Sequence, residues 1–551
     1  MKKYFLPFVL ILIFQLYANC QPFKSCLPEG IVFSRQGQID SFSTSYPGCT
    51  KVTGNVSISG PTITSLEGLK PLKSIGGNLN ISANTLLTAL SGLENIDSVL
   101  GNLIFISNPA LQSLQALERL YYIGGNVEIM NDPSLVSLKG IHVETIMGNL
   151  ILQGNNSLTD LSGLESLKRI GGDFKISTNN TLANLSGILV LRSLKGSLTI
   201  ENNINLTSFG TLAFDSIQGN VSITFNSNLA NLKGLESLVY IKGDLTMSRN
   251  TSMEFRIGLD ALRQIGGSLS ISYNNAISEI SGLITLDTIL GHFKLNGNTI
   301  LTEVEGLKSL SFIKGDFTVD ANPELLHMPD LTSLESIDGK LIVTGNGKLL
   351  NMAGLVSLAY LGSDLSISNN TAMTSLDGLD SLAILEGSIV LFNNTALVDV
   401  RGLDQVRYDL VNKLIIENSM ALSDCATKSI CKYLDGNRLA HISNNEVGCN
   451  SVKEVIAACT KIVEGEAYGD KIVLYPDPTS VNIFVKGNTA GIEEVTIFSL
   501  YGVPLKSWGH PKKHIEFKQL PDDMYILSIQ QASAVITKRV VKGNSKITIV
   551  D

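Results

Sequence analysis

Six histidines, seven cysteines and scattered carboxylates are the side chains of this 551-residue chain that could do chemistry. Imidazoles that bind metal or relay protons come at set spacings, such as two on one helix face with a glutamate between them. His142, His292, His327, His441, His510 and His514 keep no such spacing, so they read as solvated surface. The chain has neither a G-x-S-x-G elbow nor a G-x4-G-K-[ST] phosphate cradle, and Gly345-Asn346-Gly347 lacks the third glycine of a dinucleotide loop. Asp320, Glu324 and Glu335 could meet across turns as the carboxylates of a polysaccharide-cleaving enzyme, but their spacing singles out no pair. The expectation is a chain without catalytic, cofactor or metal residues, with a surface polysaccharide-degrading enzyme as the alternative.

The cysteines are Cys20, Cys26, Cys49, Cys425, Cys431, Cys449 and Cys459. Cys425 and Cys431 are six apart and Cys449 and Cys459 ten apart, which fits no common zinc spacing. Once Cys20 is set aside, either cut away with a leader or acylated, six remain, and an even number in an exported chain implies disulfides. Cys26 must pair with Cys49 if the two ends of the chain lie far apart. The other four allow three pairings.

What positions these residues is a repeat. The pattern G-[NDS]-L-x-I-x-x-N-x-x-L-x-x-L-x-G-L-x-x-L-x-x-I-x opens at Gly54, Gly77, Gly101, Gly125, Gly148, Gly172, Gly196, Gly219, Gly243, Gly267, Gly291, Gly315, Gly339, Ser363 and Gly387. A degenerate unit begins near Asn412, giving about sixteen units. This period is the signature of a solenoid. Positions 3 and 5, such as Leu79 and Ile81, alternate as in a strand with one buried face. Positions 11, 14, 17, 20 and 23 add further inward residues, as in Leu158, Leu161, Leu164, Leu167 and Ile170. Three-residue spacing could also mark a helix, but glycine at position 16 (Gly92, Gly163, Gly378) would weaken it by about 1 kcal/mol per turn. The expectation is several short parallel strands per turn and, at about 4.8 Å per strand, a rod roughly 75–80 Å long.

Position 8 is asparagine in thirteen units: Asn84, Asn108, Asn155, Asn179, Asn203, Asn226, Asn250, Asn274, Asn298, Asn322, Asn346, Asn370 and Asn394, with Asp132 replacing it once. An amide donates and accepts, so such a column can bond its copies above and below and satisfy turn backbone. It reads as a structural ladder. Positions 4 and 6 point outward and are mostly polar, as in Asn80 and Ser82. Three consecutive units break that rule, with Ile104 and Ile106, Glu128 and Met130, and Ile151 and Gln153. Ile104, Ile106, Met130 and Ile151 are therefore a candidate binding patch. Val390, Phe392 and Ile415 are a second departure.

The remaining segments divide as follows. Residues 1–20 read as a signal peptide, with Lys2 and Lys3 before an apolar stretch too short to span a bilayer. Cleavage would follow Ala18-Asn19-Cys20; the alternative, acylation of Cys20, has Tyr17 where leucine is usual. Residues 21–53 form an N-terminal cap, 54–424 the solenoid and 425–463 a disulfide-bonded cap with two short helices. Residues 464–470 form a linker and 471–551 a small β-sandwich of short strands. The net charge is −8 with no basic tract, which argues against nucleic acid, and no other apolar stretch could span a membrane.

The repeat, with Cys26-Leu27-Pro28-Glu29-Gly30-Ile31 and Pro47-Gly48-Cys49-Thr50, resembles the receptor L domain family over about residues 26–460. That resemblance implies an all-β, right-handed parallel β-helix akin to leucine-rich repeats. This chain is much longer than the few-turn receptor units, and their ligand contacts have no matching motif here. Tyr475-Pro476-Asp477-Pro478-Thr479, Leu500-Tyr501-Gly502, Leu520-Pro521-Asp522-Asp523-Met524-Tyr525 and Thr537-Lys538-Arg539-Val540-Val541-Lys542 resemble, in their order, the C-terminal sorting domain of type IX secretion substrates. Departures are Asp477 for asparagine, Asp523 for glycine, and nine residues after Lys542. The resemblance implies that residues 471–551 engage a secretion machinery and that the protein is secreted or held at the outer cell surface. The expected function is binding or adhesion to a glycan or protein ligand, with a passive surface spacer as a further alternative.

Overall fold

The computed structural model describes residues 24–210, 212–463, 473–476, 482–486, 492–500, 503–509, 514–531, 534–543 and 546–550. The expected signal peptide and the 464–470 linker lie outside them. The chain is an all-β parallel solenoid of about 17 turns followed by antiparallel sheets. Among the described residues no helix is long and apolar enough to cross a membrane.

The chain divides into two compact units, Met1–Met253 and Glu254–Asp551. In the first, ten long strands from Ile31–Phe33 to Leu245–Ser248 form one parallel sheet, and ten two-residue strands from Ser25–Cys26 to Tyr240–Ile241 form another. In the second unit, eight long strands run from Leu269–Ser272 to Ala440–Ser443, and six short ones from Gln264–Ile265 to Ile384–Leu385. Register follows the repeat, with Leu79 opposite Leu103 and Ile81 opposite Phe105. Like therefore stacks on like, and inward side chains such as Leu79, Ile81, Leu87, Leu90, Leu93, Ile96 and Val99 are buried. Burying each such side chain contributes about 1.5–3 kcal/mol.

Two features differ from expectation. The several strands per turn reduce to two, because the three-residue leucine spacing is met by tight turns. Some of these close into 3-10 helices, as at Glu67–Leu69 and Ala353–Leu355. A third ladder joins Glu279–Ile280 to Glu303–Val304. The glycine of this stretch is needed where φ is positive: at Gly92 φ is +110° and a Cβ would lie 2.0 Å from the Leu66 carbonyl oxygen. The array also reaches beyond its recognisable units, since Ile31–Phe33 precedes the first and Ala440–Ser443 pairs beyond Leu414–Glu417, the strand of the degenerate last unit.

Helices close the ends. Gln36–Asp40 and Phe42–Ser45, not anticipated, bury Ile39 and Phe42 and pack against Glu67–Leu69. Lys428–Asp435 starts on Thr427, whose Oγ1 accepts the Ile430 N–H at 3.3 Å, and Val452–Val463 starts on Ser451, whose Oγ accepts the Glu454 N–H at 3.3 Å. Disulfides join Cys26 to Cys49, Cys425 to Cys449 and Cys431 to Cys459. Their separations of 23, 24 and 28 residues are close to one turn of the array, so each bond ties neighbouring turns. Loops of that length lose chain entropy worth about 3 kcal/mol per bond.

Past residue 470, strands Val473–Pro476, Asn482–Lys486 and His514–Glu516 form one antiparallel sheet. The other runs in the order Pro504–Gly509, Ile492–Ser499, Met524–Gln531, Ala534–Gly543, Lys546–Val550. Their shared core includes Ile483, Ile515 and Phe517 with Val495, Leu527, Ile529 and Val540. The two outer strands of the larger sheet were not anticipated; Pro504–Gly509 is largely exposed, so it lacks the apolar alternation that marks a strand. Beyond Lys542, Lys546–Val550 forms a strand that pairs with Arg539–Gly543.

Candidate functional site on the outward face of the long strands

The asparagine column sits inside the solenoid, and all thirteen side chains are fully buried. At Asn226, Oδ1 accepts the Asn203 N–H at 3.0 Å, while Nδ2 donates to the Ile200 carbonyl at 2.9 Å and the Thr224 carbonyl at 3.1 Å. Copy-to-copy amide bonds also form, at 3.0 Å from Asn84 Nδ2 to Asn108 Oδ1 and 3.3 Å from Asn226 Nδ2 to Asn250 Oδ1. The column chiefly satisfies backbone that the corner takes out of the ladder. Ser419 and Asn445 continue it, accepting the Asn394 and Ser419 N–H groups. To bring each amide inward, the preceding residue turns left-handed even without glycine, as at Thr178 (φ 57°), Phe225 (φ 58°) and Arg249 (φ 57°). That conformation costs about 1–2 kcal/mol per residue, which the buried amide bonds offset.

Asp132 breaks the column. Its Oδ1 accepts both the Asn108 N–H at 2.7 Å and Asn108 Nδ2 at 3.0 Å. Its Oδ2 is buried without a partner, where neighbouring turns hold an N–H aimed at a strand carbonyl. Burial pushes its carboxyl up to about 6, against the lowering effect of the Asn108 bonds.

Position 2 forms a second ladder, which the sequence reading missed. Asn78, Asn102, Asn126 and Asp173 accept the main-chain N–H of the next turn at 2.7–2.9 Å, and Ser197 does so at 3.1 Å. His292 joins it, its Nδ1 accepting the Asp316 N–H at 2.9 Å, which gives that histidine a structural task. The [NDS] preference at this position was the available signal.

Register brings the candidate patch together. Ile104 lies beside Glu128 and Ile106 beside Met130, while Glu128 and Met130 lie beside Ile151 and Gln153. Ile104, Ile106, Met130 and Ile151 are each half-buried around Glu128, whose Oε1 accepts Asn126 Nδ2 at 3.1 Å. Polar pairs flank them, Asn80 and Ser82 on one side and Lys175 and Ser177 on the other.

The second departure lines a shallow groove of about 300 Å³. Lys340, Asp364, Ser388 and Lys413 contribute from position 2, and Ile342, Ser366, Val390 and Ile415 from position 4. Phe392 lies two residues beyond Val390 and is 37% exposed. Lysine cannot accept the next N–H, so Lys340 instead reaches Asp364 Oδ2 at 2.9 Å, while Asp364 Oδ1 accepts the Ser388 N–H at 2.8 Å. The Ser388 N–H, and then Lys340, hold the Asp364 carboxyl below its ordinary range.

The carboxylates weighed for catalysis have separate partners. Asp320 accepts Asn296 Nδ2 at 2.6 Å, and Glu324 pairs with Lys348 at 2.5 Å. Glu335 stands at a different position of the turn and is exposed. Among the described residues no three His, Cys, Asp or Glu side chains converge as metal ligands. Fold and ladders define the chain as a parallel β-solenoid protein. It matches no family model, and no curated protein matches it.

Proposed function

We propose that this chain is an exported, non-catalytic binding protein that presents the outward face of its long strands to a glycan or protein ligand. The observation carrying this reading is the in-register apolar cluster of Ile104, Ile106, Met130 and Ile151, bounded on both sides by turns with polar outward pairs. Three disulfides support an oxidising destination. Likeness to receptor L domains in the repeat supports a recognition role. Likeness to type IX sorting domains in residues 471–551 supports secretion to the outer cell surface.

Screened on glycan and matrix-protein arrays, the full chain should bind at least one class. Ile106→Ser combined with Met130→Ser should weaken that binding tenfold or more with little change in melting temperature. Binding that survives both changes would remove the patch from the reading, and release of reducing ends from a surface polysaccharide would replace it with an enzyme. For export, deletion of residues 471–551 should leave the chain in the periplasm on cell fractionation. Normal surface display of the deletion would end the sorting assignment.

A further inference from the structure

The groove across the turns that open at Gly339, Ser363, Gly387 and Asn412 carries chemistry the apolar patch lacks. Lys413 is half-buried at one end and makes no ion pair among the described residues, whereas Lys340 at the other end is paired with Asp364. The groove therefore holds one uncompensated cation. At its centre Ser366 is short beside Ile342 and Val390, and its hydroxyl makes no hydrogen bond among the described residues. Ile342, Val390 and Ile415 supply aliphatic surface along the length.

Three kinds of contact are thus set side by side: a positive charge, a free hydroxyl and an apolar wall. A uronic acid unit offers their complements, namely a carboxylate, ring hydroxyls and an apolar C–H face. A peptide fits less well. The strands under the groove are hydrogen-bonded on both sides, Leu341–Thr344 to Leu365–Ser368, then to Ile389–Phe392 and Leu414–Glu417, so no main-chain edge is open to a peptide backbone. Lys340 to Lys413 spans three strand spacings, roughly 14 Å. That is the reach of a short oligosaccharide rather than a single ring.

We infer that this groove binds a carboxylate-bearing oligosaccharide of about three sugar units lying across the strands, with Lys413 on a uronate carboxylate. This rests on the reading of the chain as a binding protein and adds a site and a ligand class to it. The test is calorimetric titration of the full chain with trimers of galacturonate, mannuronate and glucuronate, with cellotriose and triglutamate as comparisons. At least one uronate trimer should bind, more weakly as salt rises. It should bind at least tenfold more weakly to Lys413→Met, while cellotriose and triglutamate bind poorly to both proteins. Val390→Asp, which places an anion in the groove, should abolish the interaction, and both variants should keep the parent melting temperature.

Absence of binding by all three uronate trimers overturns the inference. So does binding unchanged by Lys413→Met, or triglutamate binding as tightly as the sugars. Each of these can occur while the arrays still report another ligand, which would leave the broader binding reading standing. No ligand on any array would remove both.

Discussion

Asp132→Asn should raise the stability of its part of the solenoid by on the order of 3 kcal/mol at pH 8, with little effect at pH 4. The carboxyl is moved from 3.8 to about 6 in the fold. The folded state therefore holds the proton more tightly than the unfolded chain. This relative stabilisation is complete below about pH 4 and is lost as the pH rises through 6, after which an ionised carboxylate stays buried with one oxygen unpartnered. Asparagine removes the charge and restores the N–H found at this place in the neighbouring turns, where Asn108 donates to Ile81 and Asn155 to Ile129. Hydrogen exchange of residues 104–155, compared between parent and variant from pH 4 to 8, isolates this group from the other carboxylates. A difference that stays flat across that range would show that the second Asp132 oxygen has a partner in solution.

The second large effect runs the other way. Asn346→Ala should destabilise the surrounding turns by roughly 3–5 kcal/mol, since each buried group left unpaired costs about 1–3 kcal/mol. Asn346 Oδ1 accepts the Asn322 N–H, and Nδ2 donates to the Val319 and Thr344 carbonyls, all at 3.0 Å. These partners lie at a corner where no strand neighbour can replace the amide. In a stack of repeats each turn touches its neighbours, so loss of protection should centre on residues 319–370 before it spreads. Lys348→Ala, two residues away in the same turn, removes only an exposed ion pair with Glu324 and should cost about 1 kcal/mol or less. Equal effects from the two changes would mean that the column does not hold the corner.

Much of the frame was legible because a solenoid puts the same demand on every turn. Leu79 and its equivalents recur because like stacks on like, and Asn84 and its equivalents recur because only an amide both accepts an N–H and donates to a carbonyl there. The position-2 ladder was harder to see, since accepting a single N–H is within reach of asparagine, aspartate, serine and even His292. A column with an easy task tolerates many residue types and so looks like surface. The left-handed corner was hidden in the same way, because Thr178, Phe225 and Arg249 are held in a conformation they disfavour by the amide that follows them. Helices Gln36–Asp40 and Phe42–Ser45 are too short to show a hydrophobic period.

For the candidate sites the division is sharper. Alternation along a strand shows from sequence that Ile104, Met130, Val390 and Ile415 face outward, because successive side chains point to opposite faces. Which of them touch depends on the residues placed beside them about 24 positions away, and that is a property of register. Register sets Ile106 beside Met130, lines Lys340 up with Asp364, and puts the turn of Lys413 beside that of Ser388, so that among the described residues Lys413 has no ion-pair partner. The disulfides divide likewise: an even set of cysteines could be counted, but joining Cys425 to Cys449 and Cys431 to Cys459 required the final turns and both helices to be in place. By itself the sequence determined the period, the buried columns and the outward face, since each follows from a rule repeated along the chain. Only the tertiary structure decided which exceptions to that rule become neighbours, because neighbours across turns are distant in sequence and meet only once the strands have stacked.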